Sequence, residues 1–473
     1  MIDLKQRLDQ LSEYNSDLEN LWSEIRSSFR HKVIALDDDP TGVQTVHGIP
    51  VFTDWSKETI RKIFEDDRQL VFLLTNSRSF SKSQTKEVHT EIAKRIAEVS
   101  KELDQPFLLI SRGGDSTLRG HYPLETEVLK DVLEKESDHT YDGEIIIPFF
   151  KEGGRLTIDD IHYVQQGNSF IPAGETEFAN DRMFGFKSSN LKEYVEEKTE
   201  GLHKKENVLS ISLDECRSLD ISKMTKKLQE MTGYQKMVVN AVTEDDLKAF
   251  TIALITAINN GKHFIFRTAA SFTKVIGNIS SKPLLTKEEL VSPDNKNGGL
   301  IIVGSHVQKT TDQLNHLKKL DTITFVEFNV ETVTKKDAFI AETERIQALV
   351  DTNVAEGKSI CVYTSRKRLD LGKGRGEEEL SLSVKISDAV TQFVNNCKPK
   401  PKYVIAKGGI TSSDIGVNGL EVKKAEVAGQ IEPGIPVWKT GEESKFPNVP
   451  YIIFPGNVGE EATLLHVTKT LEG

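Results

Sequence analysis

KVIALDDDPTG (32–42) decides the architecture. Four apolar or β-branched residues run without a polar break and then stop abruptly at three aspartates, a proline and a glycine, which is how a strand buried on both faces reads when it opens into a turn. The layout repeats at QLVFLLT (69–75), followed by Asn76-Ser77-Arg78, and at FLLISR (107–112), followed by Gly113-Gly114-Asp115-Ser116-Thr117-Leu118-Arg119-Gly120. Further strands are predicted at 144–149, 207–212, 236–241 and 263–268, and a second series at 299–304, 324–328, 359–364, 402–407 and 451–455. Helical patterns alternate with them, for example over 81–103, 243–260, 335–355 and 377–396. Strands alternating with long helices predict an α/β fold in two domains, each a mainly parallel sheet flanked by helices, with a cleft between them.

At 473 residues the chain is long enough for two such domains. The polar segment SSKPLLTKEELVSPDNKNGG (280–299) carries two prolines and ends in a glycine pair, so it reads as the boundary. The expected division is an N-terminal helix over 1–30, a substrate-binding domain over 31–280, a linker over 281–298 and a nucleotide-binding domain over 299–473. In the first segment Leu4, Leu11, Leu18 and Ile25 recur every seven residues, as do Leu8, Asn15, Trp22 and Phe29. That double stripe suits either a homodimer arm or a helix packed on its own domain.

Hydrophobic residues make up 37% and charged residues 28%, enough apolar material for real cores. The net charge of −11 opposes a general nucleic-acid binder, which needs a concentrated basic face. Cys216, Cys361 and Cys397 form no CxxC pair and read as buried free thiols. The first residues are too charged for a secretory signal and no apolar run is long enough to span a bilayer, so no membrane partner and a cytoplasmic location are expected.

In open α/β sheets ligands bind beyond the carboxyl ends of the strands. Three consecutive strand ends here supply acids, amides, hydroxyls and arginines. An aspartate cluster can accept a proton from a hydroxyl or contact Mg²⁺, while Arg78 and Arg119 offer planar forks for a carboxylate or phosphate. The combination fits a small polyhydroxy acid. In the second half, strand, glycine turn and helix recur at Gly304-Ser305, at Gly408-Gly409 and at Gly456 to Gly459, each aiming unsatisfied backbone N–H groups at an anion. Three such turns in one domain favour a nucleotide site. The glycine-rich, charged loop over 370–381 reads as a surface loop or as a lid over that nucleotide. GxxxxGK[ST], HExxH and GxSxG are absent, and the histidines show no metal-ligand spacing, His162, His306 and His316 included.

These loops resemble those of the four-carbon acid sugar kinases from about residue 32 onward. The family's DDxTG motif corresponds to Asp38-Asp39-Pro40-Thr41-Gly42, its N-x-R element to Asn76-Ser77-Arg78, and its DSTLRG element to Asp115 through Gly120. PFFKEGGRLT (148–157), ETEFANDRMFGFKSSNL (175–191) and VVNAVTEDDL (238–247) are similar to later family segments. So are Gly304-Ser305 with Gln313, Gly408-Gly409 with Thr411-Ser412, and Gly456-Asn457-Val458-Gly459. The chain departs from the family at Gly113, where a lysine is common, at Ser413 in place of a glycine, and at Phe454, where a lysine usually stands.

The resemblance implies phosphorylation of threonate, erythronate or 3-oxo-tetronate by ATP with Mg²⁺. Asp38 or Asp39 would accept the proton or contact the metal; Thr41, Asn76, Arg78, Asp115, Ser116 and Arg119 would hold the acid. Gly304, Ser305, Gly408, Gly409, Thr411, Ser412, Gly456, Asn457 and Gly459 would hold ATP. A kinase for a larger or differently oxidised sugar acid, and a non-catalytic ligand-binding clamp of the same fold, are the alternatives.

Overall fold

The computed structural model describes residues 8, 11, 13, 17–112, 116–167, 169–366, 376–456 and 458–473, with side chains omitted at 376–380. Asp115, Asn457, Leu4 and Asn15 therefore lie outside the described residues, as do positions 370–375 of the predicted lid. The chain forms two compact units. One comprises Met1–Asp38 and Asp54–Ser280, the other Asp39–Thr53 and Ser281–Gly473.

The first unit is built on a parallel sheet. β1 (Lys32–Asp37) lies between β3 (Leu70–Leu74) and β4 (Phe107–Arg112). Beyond β4 come β11 (Phe264–Thr268), β5 (Gly143–Ile147), β10 (Gln235–Val239) and β9 (Leu209–Ile211). The central strands are buried on both faces, which is why they read as continuous apolar runs. The flanking helix Lys82–Leu103 begins with a capping box in which Ser81 accepts from Gln84 N and Gln84 returns to Ser81 N. It buries Thr85, His89, Ile92, Ala93, Ile96 and Val99, a stripe at helical spacing.

Three short strands, β6 (Arg155–Ile158), β7 (Ile161–Gln166) and β8 (Ser169–Pro172), form a separate antiparallel sheet in this unit. The sequence reading assigned no strands there. Each is only four to six residues long, and the β7 and β8 patterns are half-exposed, so no sustained periodicity marks them.

In the second unit β12 (Leu300–Val303) pairs in parallel with β14 (Ser359–Thr364) and β15 (Val404–Lys407). β13 (Ile323–Phe328) flanks β14, and β18 (Pro450–Phe454) flanks β15. The sheet then turns antiparallel: β17 (Ile435–Thr440), β16 (Lys424–Glu432) and β2 (Ile49–Phe52) follow in that order. β2 groups residues 39–53 with this unit rather than with the rest of 31–280. Its ladder on β16, joined by Gly48 N to Val427 O at 2.7 Å and Thr53 N to Lys423 O at 3.1 Å, fixes that placement. The segment expected as a linker also belongs here, since Leu285 is buried in this unit's core and donates its N–H to Gln430 O.

The 1–30 segment is not one continuous helix in its described part. Leu11 is a bend, Glu13 is irregular, and the helix covers Leu18–Arg26. That helix packs on its own unit: Trp22 Nε1 donates to Asn278 Oδ1 at 3.2 Å, Arg26 Nη1 donates to Ile276 O at 2.7 Å, and Lys248 pairs with Glu19 at 2.5 Å. Of the two readings of the heptad pattern, these contacts fit the packed helix. All three cysteines are buried and free, and no helix among the described residues is long and apolar enough to cross a membrane.

Candidate functional site

β1, β3 and β4 end side by side, so the residues that follow them gather at one edge of the first unit's sheet. Asp38 lies there, buried, and both its oxygens engage Arg78: Nε donates to Oδ2 at 2.8 Å and Nη2 to Oδ1 at 3.0 Å. Arg78 N also donates to Asp38 O at 3.3 Å. This fork fixes the guanidinium plane while leaving about a quarter of the side chain exposed. Asn76 takes a left-handed conformation, φ 58°, that turns the chain sharply after β3, a role suited to asparagine. One residue earlier, Asp37 faces Arg112 at 3.4 Å, both buried. Arg112 thus places a cation at the end of β4, while Gly113 lies outside the described residues.

Asp39 behaves differently from its neighbour. Its Oδ1 accepts from Thr41 N at 2.7 Å and from the Thr41 hydroxyl, capping the short turn Pro40–Val43. That turn belongs to the second unit, where it packs on the helix Gly409–Asp414 and on β17 and β18. The two aspartates named as one candidate pair therefore have distinct settings, one buried on an arginine and one partly exposed at a turn.

Ser116 and Thr117 are buried and Leu118 has φ 62°. The loop is pinned from beneath by His162, which is fully buried: Nε2–H donates to Ser116 O at 2.7 Å, leaving Nδ1 to accept from Thr157 Oγ1 at 2.9 Å. Tyr194 OH donates to Leu118 O at 3.0 Å. Arg119 lies over the Phe178 ring at 4.8 Å, donates from Nε to Thr117 Oγ1 at 3.0 Å and faces Asp181 at 3.6 Å. Burial pushes the Asp181 carboxyl up, but the N–H groups of Phe184 and Met183 and the Arg119 guanidinium outweigh it and hold it below its ordinary range.

Beneath the Asn76-Ser77-Arg78 turn lies a buried network that the sequence reading did not single out. Ser77 Oγ donates to Glu125 Oε1 at 2.9 Å. His121 Nε2–H donates to Ser77 O and Phe80 O at 3.1 and 3.0 Å. Arg267 donates to Arg119 O at 3.0 Å and stands 3.6 Å from Glu125, so one cation links the third loop to the carboxyl group that Ser77 bonds. Burial raises Glu125 to about 7 and lowers His89 to about 4. Glu125 follows DSTLRG closely, but nothing in its local pattern separates it from a surface acid at a helix start.

In the second unit the three glycine turns close adjacent strands β12, β15 and β18. The first two line a cavity of about 450 Å³ with Ser305, His306, Thr364, Thr411 and an apolar wall of Val330, Ile386 and Val390. A Cβ built on Gly304 would stand 2.2 Å from Thr411 Oγ1, and Gly408 has φ 126°, so neither position accepts a side chain without displacement. Gly456 adjoins Ser305 Oγ at 3.5 Å from its would-be Cβ, and Thr310 Oγ1 bonds both Ser305 Oγ and Gly456 O. Gln313, fully buried, donates to Val458 O and Glu460 O and so ties the helix after Ser305 to the Gly456–Gly459 turn. Gly459 has φ 81°. Gly409 has open space around it, while Ser412 is buried and its hydroxyl donates to Ala406 O, making it a brace for the turn.

Among the described residues no group of three or more His, Cys, Asp or Glu side chains is placed to hold a metal ion. The acids at the β1 end are engaged by arginines and a capping bond rather than assembled as oxygen ligands.

Comparison with known families finds two domains in succession, with residues 39–53 of the second unit inside the first match. The family model described as a sugar-binding N-terminal domain matches residues 33–276, and one described as a nucleotide-binding C-terminal domain matches residues 300–464. The chain belongs to the four-carbon acid sugar kinase family. Its strand-end loops of the first unit thus fall in the sugar-binding domain of this family, and its glycine turns in the nucleotide-binding domain. Two solved structures share the fold: Haemophilus influenzae protein HI1011, at 17% identity and TM-score 0.58 over 93% of this chain and 100% of that one, and a Salmonella typhimurium LT2 protein, at 15% identity and TM-score 0.65 over 92% and 98%. No curated protein matches the chain.

Proposed function

We propose that the protein transfers the γ-phosphoryl group of ATP to a hydroxyl of a four-carbon sugar acid such as threonate, erythronate or 3-oxo-tetronate. The observation that carries this reading is the convergence of Gly304-Ser305, Gly408-Gly409 and Gly456 at the carboxyl ends of three adjacent strands beside an apolar-walled cavity. Close-approach glycines suit phosphate oxygens, and the apolar wall suits a flat base. In this reading Arg78, aimed by Asp38, and Arg119, backed by Phe178, bind the carboxylate, while Ser116 and Asp115 meet hydroxyls. Asp39 is assigned proton acceptance, because Asp38 is buried on Arg78 and Asp39 shares a unit with the glycine turns. Thr41 and Asn76 are assigned to the substrate as further polar contacts. Mg²⁺ would arrive on the nucleotide phosphates and neutralise their charge.

Phosphoryl transfer needs positioning and charge neutralisation more than covalent help, which loop-borne arginines and backbone N–H groups can supply. The deciding experiment is ADP release with ATP and Mg²⁺ across threonate and erythronate stereoisomers, the 3-oxo acids and five-carbon acids. Turnover with one four-carbon acid establishes the reading. Turnover with only a longer acid moves the substrate class, and a rise in melting temperature with ATP but no ADP from any acid makes the protein a ligand-binding clamp. The proposed setting is cytoplasmic.

A further inference from the structure

Lys407 ends β15, immediately before Gly408-Gly409, and its residue is 0% exposed. The neighbouring strands are β12, which leads to Gly304-Ser305, and β18, which leads to Gly456. Nζ donates to Pro455 O at 2.5 Å and approaches Gly456 O at 3.4 Å, and the ammonium sits 4.0 Å from the centroid of the Phe454 ring. Carbonyls and an aromatic face stabilise a cation only partially; a buried ammonium ordinarily has a carboxylate beside it. Among the described residues none pairs with Lys407.

The charged groups on the surrounding elements sharpen the point. Lys309, on the helix Gln308–Leu317, repels it. Arg366, after β14, is also a cation and donates to Ser305 O. Asp414, on the helix after Gly408, takes up the Ser387 hydroxyl at 2.8 Å, and Glu460, beyond Gly459, is exposed whereas Lys407 is not. His306 lies in the turn after β12. Burial, then Lys309, lowers the Lys407 ammonium to about 7. A cation at the meeting of three anion-suited turns is thus left without an anion of its own.

We infer that Lys407 takes its counter-charge from the nucleotide, so that polyphosphate binding draws a proton from solvent onto Nζ and locks the Pro455-Gly456 carbonyls under the phosphates. The inference rests on the reading of the three turns as the nucleotide site. The proton balance is simple: the free amine's lone pair accepts one proton from buffer, and the resulting ammonium donates to the two carbonyls and faces the phosphate charge.

Isothermal titration of ATP into the full chain, in two buffers of different ionisation heat, reads the uptake directly. Wild type is expected to take up close to one proton per nucleotide at pH 8 and almost none at pH 6. Lys407→Met is expected to abolish the uptake at pH 8 and to weaken ATP about 10- to 100-fold. ATP binding by wild type without pH-dependent uptake overturns the inference while leaving the nucleotide reading intact, and needs no variant to fold. Uptake that persists in Lys407→Met also overturns it. No ATP binding to wild type overturns the nucleotide reading and this inference with it.

Discussion

His89 Nε2 lies 3.9 Å from Glu125 Oε1, with both side chains buried beneath the Asn76-Ser77-Arg78 turn. Burial favours the neutral form of each, raising Glu125 from 4.5 to about 7 and lowering His89 from 6.5 to about 4. The consequences for stability have opposite signs. Between pH 4.5 and 7 the native state holds the Glu125 proton that the unfolded chain has lost, so this group makes stability fall as pH rises. Between pH 4 and 6.5 the unfolded chain binds the proton that native His89 refuses, so that group makes stability rise.

Over the shared window the two slopes offset each other, and single variants should separate them. Relative to wild type, Glu125→Gln should gain on the order of 3 kcal/mol between pH 4.5 and 7. His89→Gln should lose a similar amount relative to wild type between pH 4 and 6.5. Urea unfolding at half-unit pH steps checks both; curves parallel to wild type would remove the pair from the pH response.

Gly304 and Thr411 are predicted to be coupled. A methyl at 304 collides with Thr411 Oγ1, so Gly304→Ala should weaken ATP at least about tenfold. Thr411→Ala removes the colliding atom and should recover much of that loss in the double variant. Calorimetric affinities for the four proteins of the cycle test it, and strictly additive losses would exclude a shared steric origin.

Arg119→Ala should lower kcat/KM for the sugar acid by about 10²-fold, the usual consequence of losing a charged hydrogen bond to substrate. ATP affinity should stay unchanged, because Arg119 belongs to the other unit's strand-end loop. Near-normal kinetics with the acid would take it out of the site.

Asp38→Asn should reduce unfolding free energy by about 2 kcal/mol, since it leaves the Arg78 fork without its buried carboxylate. Asp39→Asn should be much milder in stability, because an amide oxygen still accepts from Thr41 N, yet should cost turnover. Thermal unfolding and ADP release measured on the same preparations distinguish the two aspartates; equal stability losses would contradict their separate settings.

Much of this was legible in the sequence, and for a physical reason. Doubly buried parallel strands require unbroken apolar runs, so β1, β3, β4, β12, β14 and β15 announced themselves, and the helix Lys336–Ala355 falls within one residue of its expected limits. The strand-end loops stand out in the sequence because acids, amides, hydroxyls and arginines follow these apolar runs directly. The antiparallel strands were missed because β2 and β6 are four residues each, and β16 is interrupted by register shifts at Val427/Gly429 and Gln430/Glu432. Glu125, His89, Arg267 and Lys407 were missed for a different reason. Each is an ionisable residue inside an otherwise ordinary helix or strand, and only tertiary placement shows that it is buried.

The grouping of β2 with the second unit makes the protein resistant to dissection. The chain passes from one unit to the other three times, after Asp38, after Thr53 and after Ser280. A truncation beginning at Ser281 would carry every glycine turn yet lose β2, one of the two partners of β16, exposing the edge of Lys424–Val427 to solvent. Such a fragment would be prone to self-association, and a soluble nucleotide-binding piece would need residues 39–53 grafted back beside β16. Insertions, deletions or domain exchanges in this chain therefore have to respect a strand borrowed from near the amino terminus.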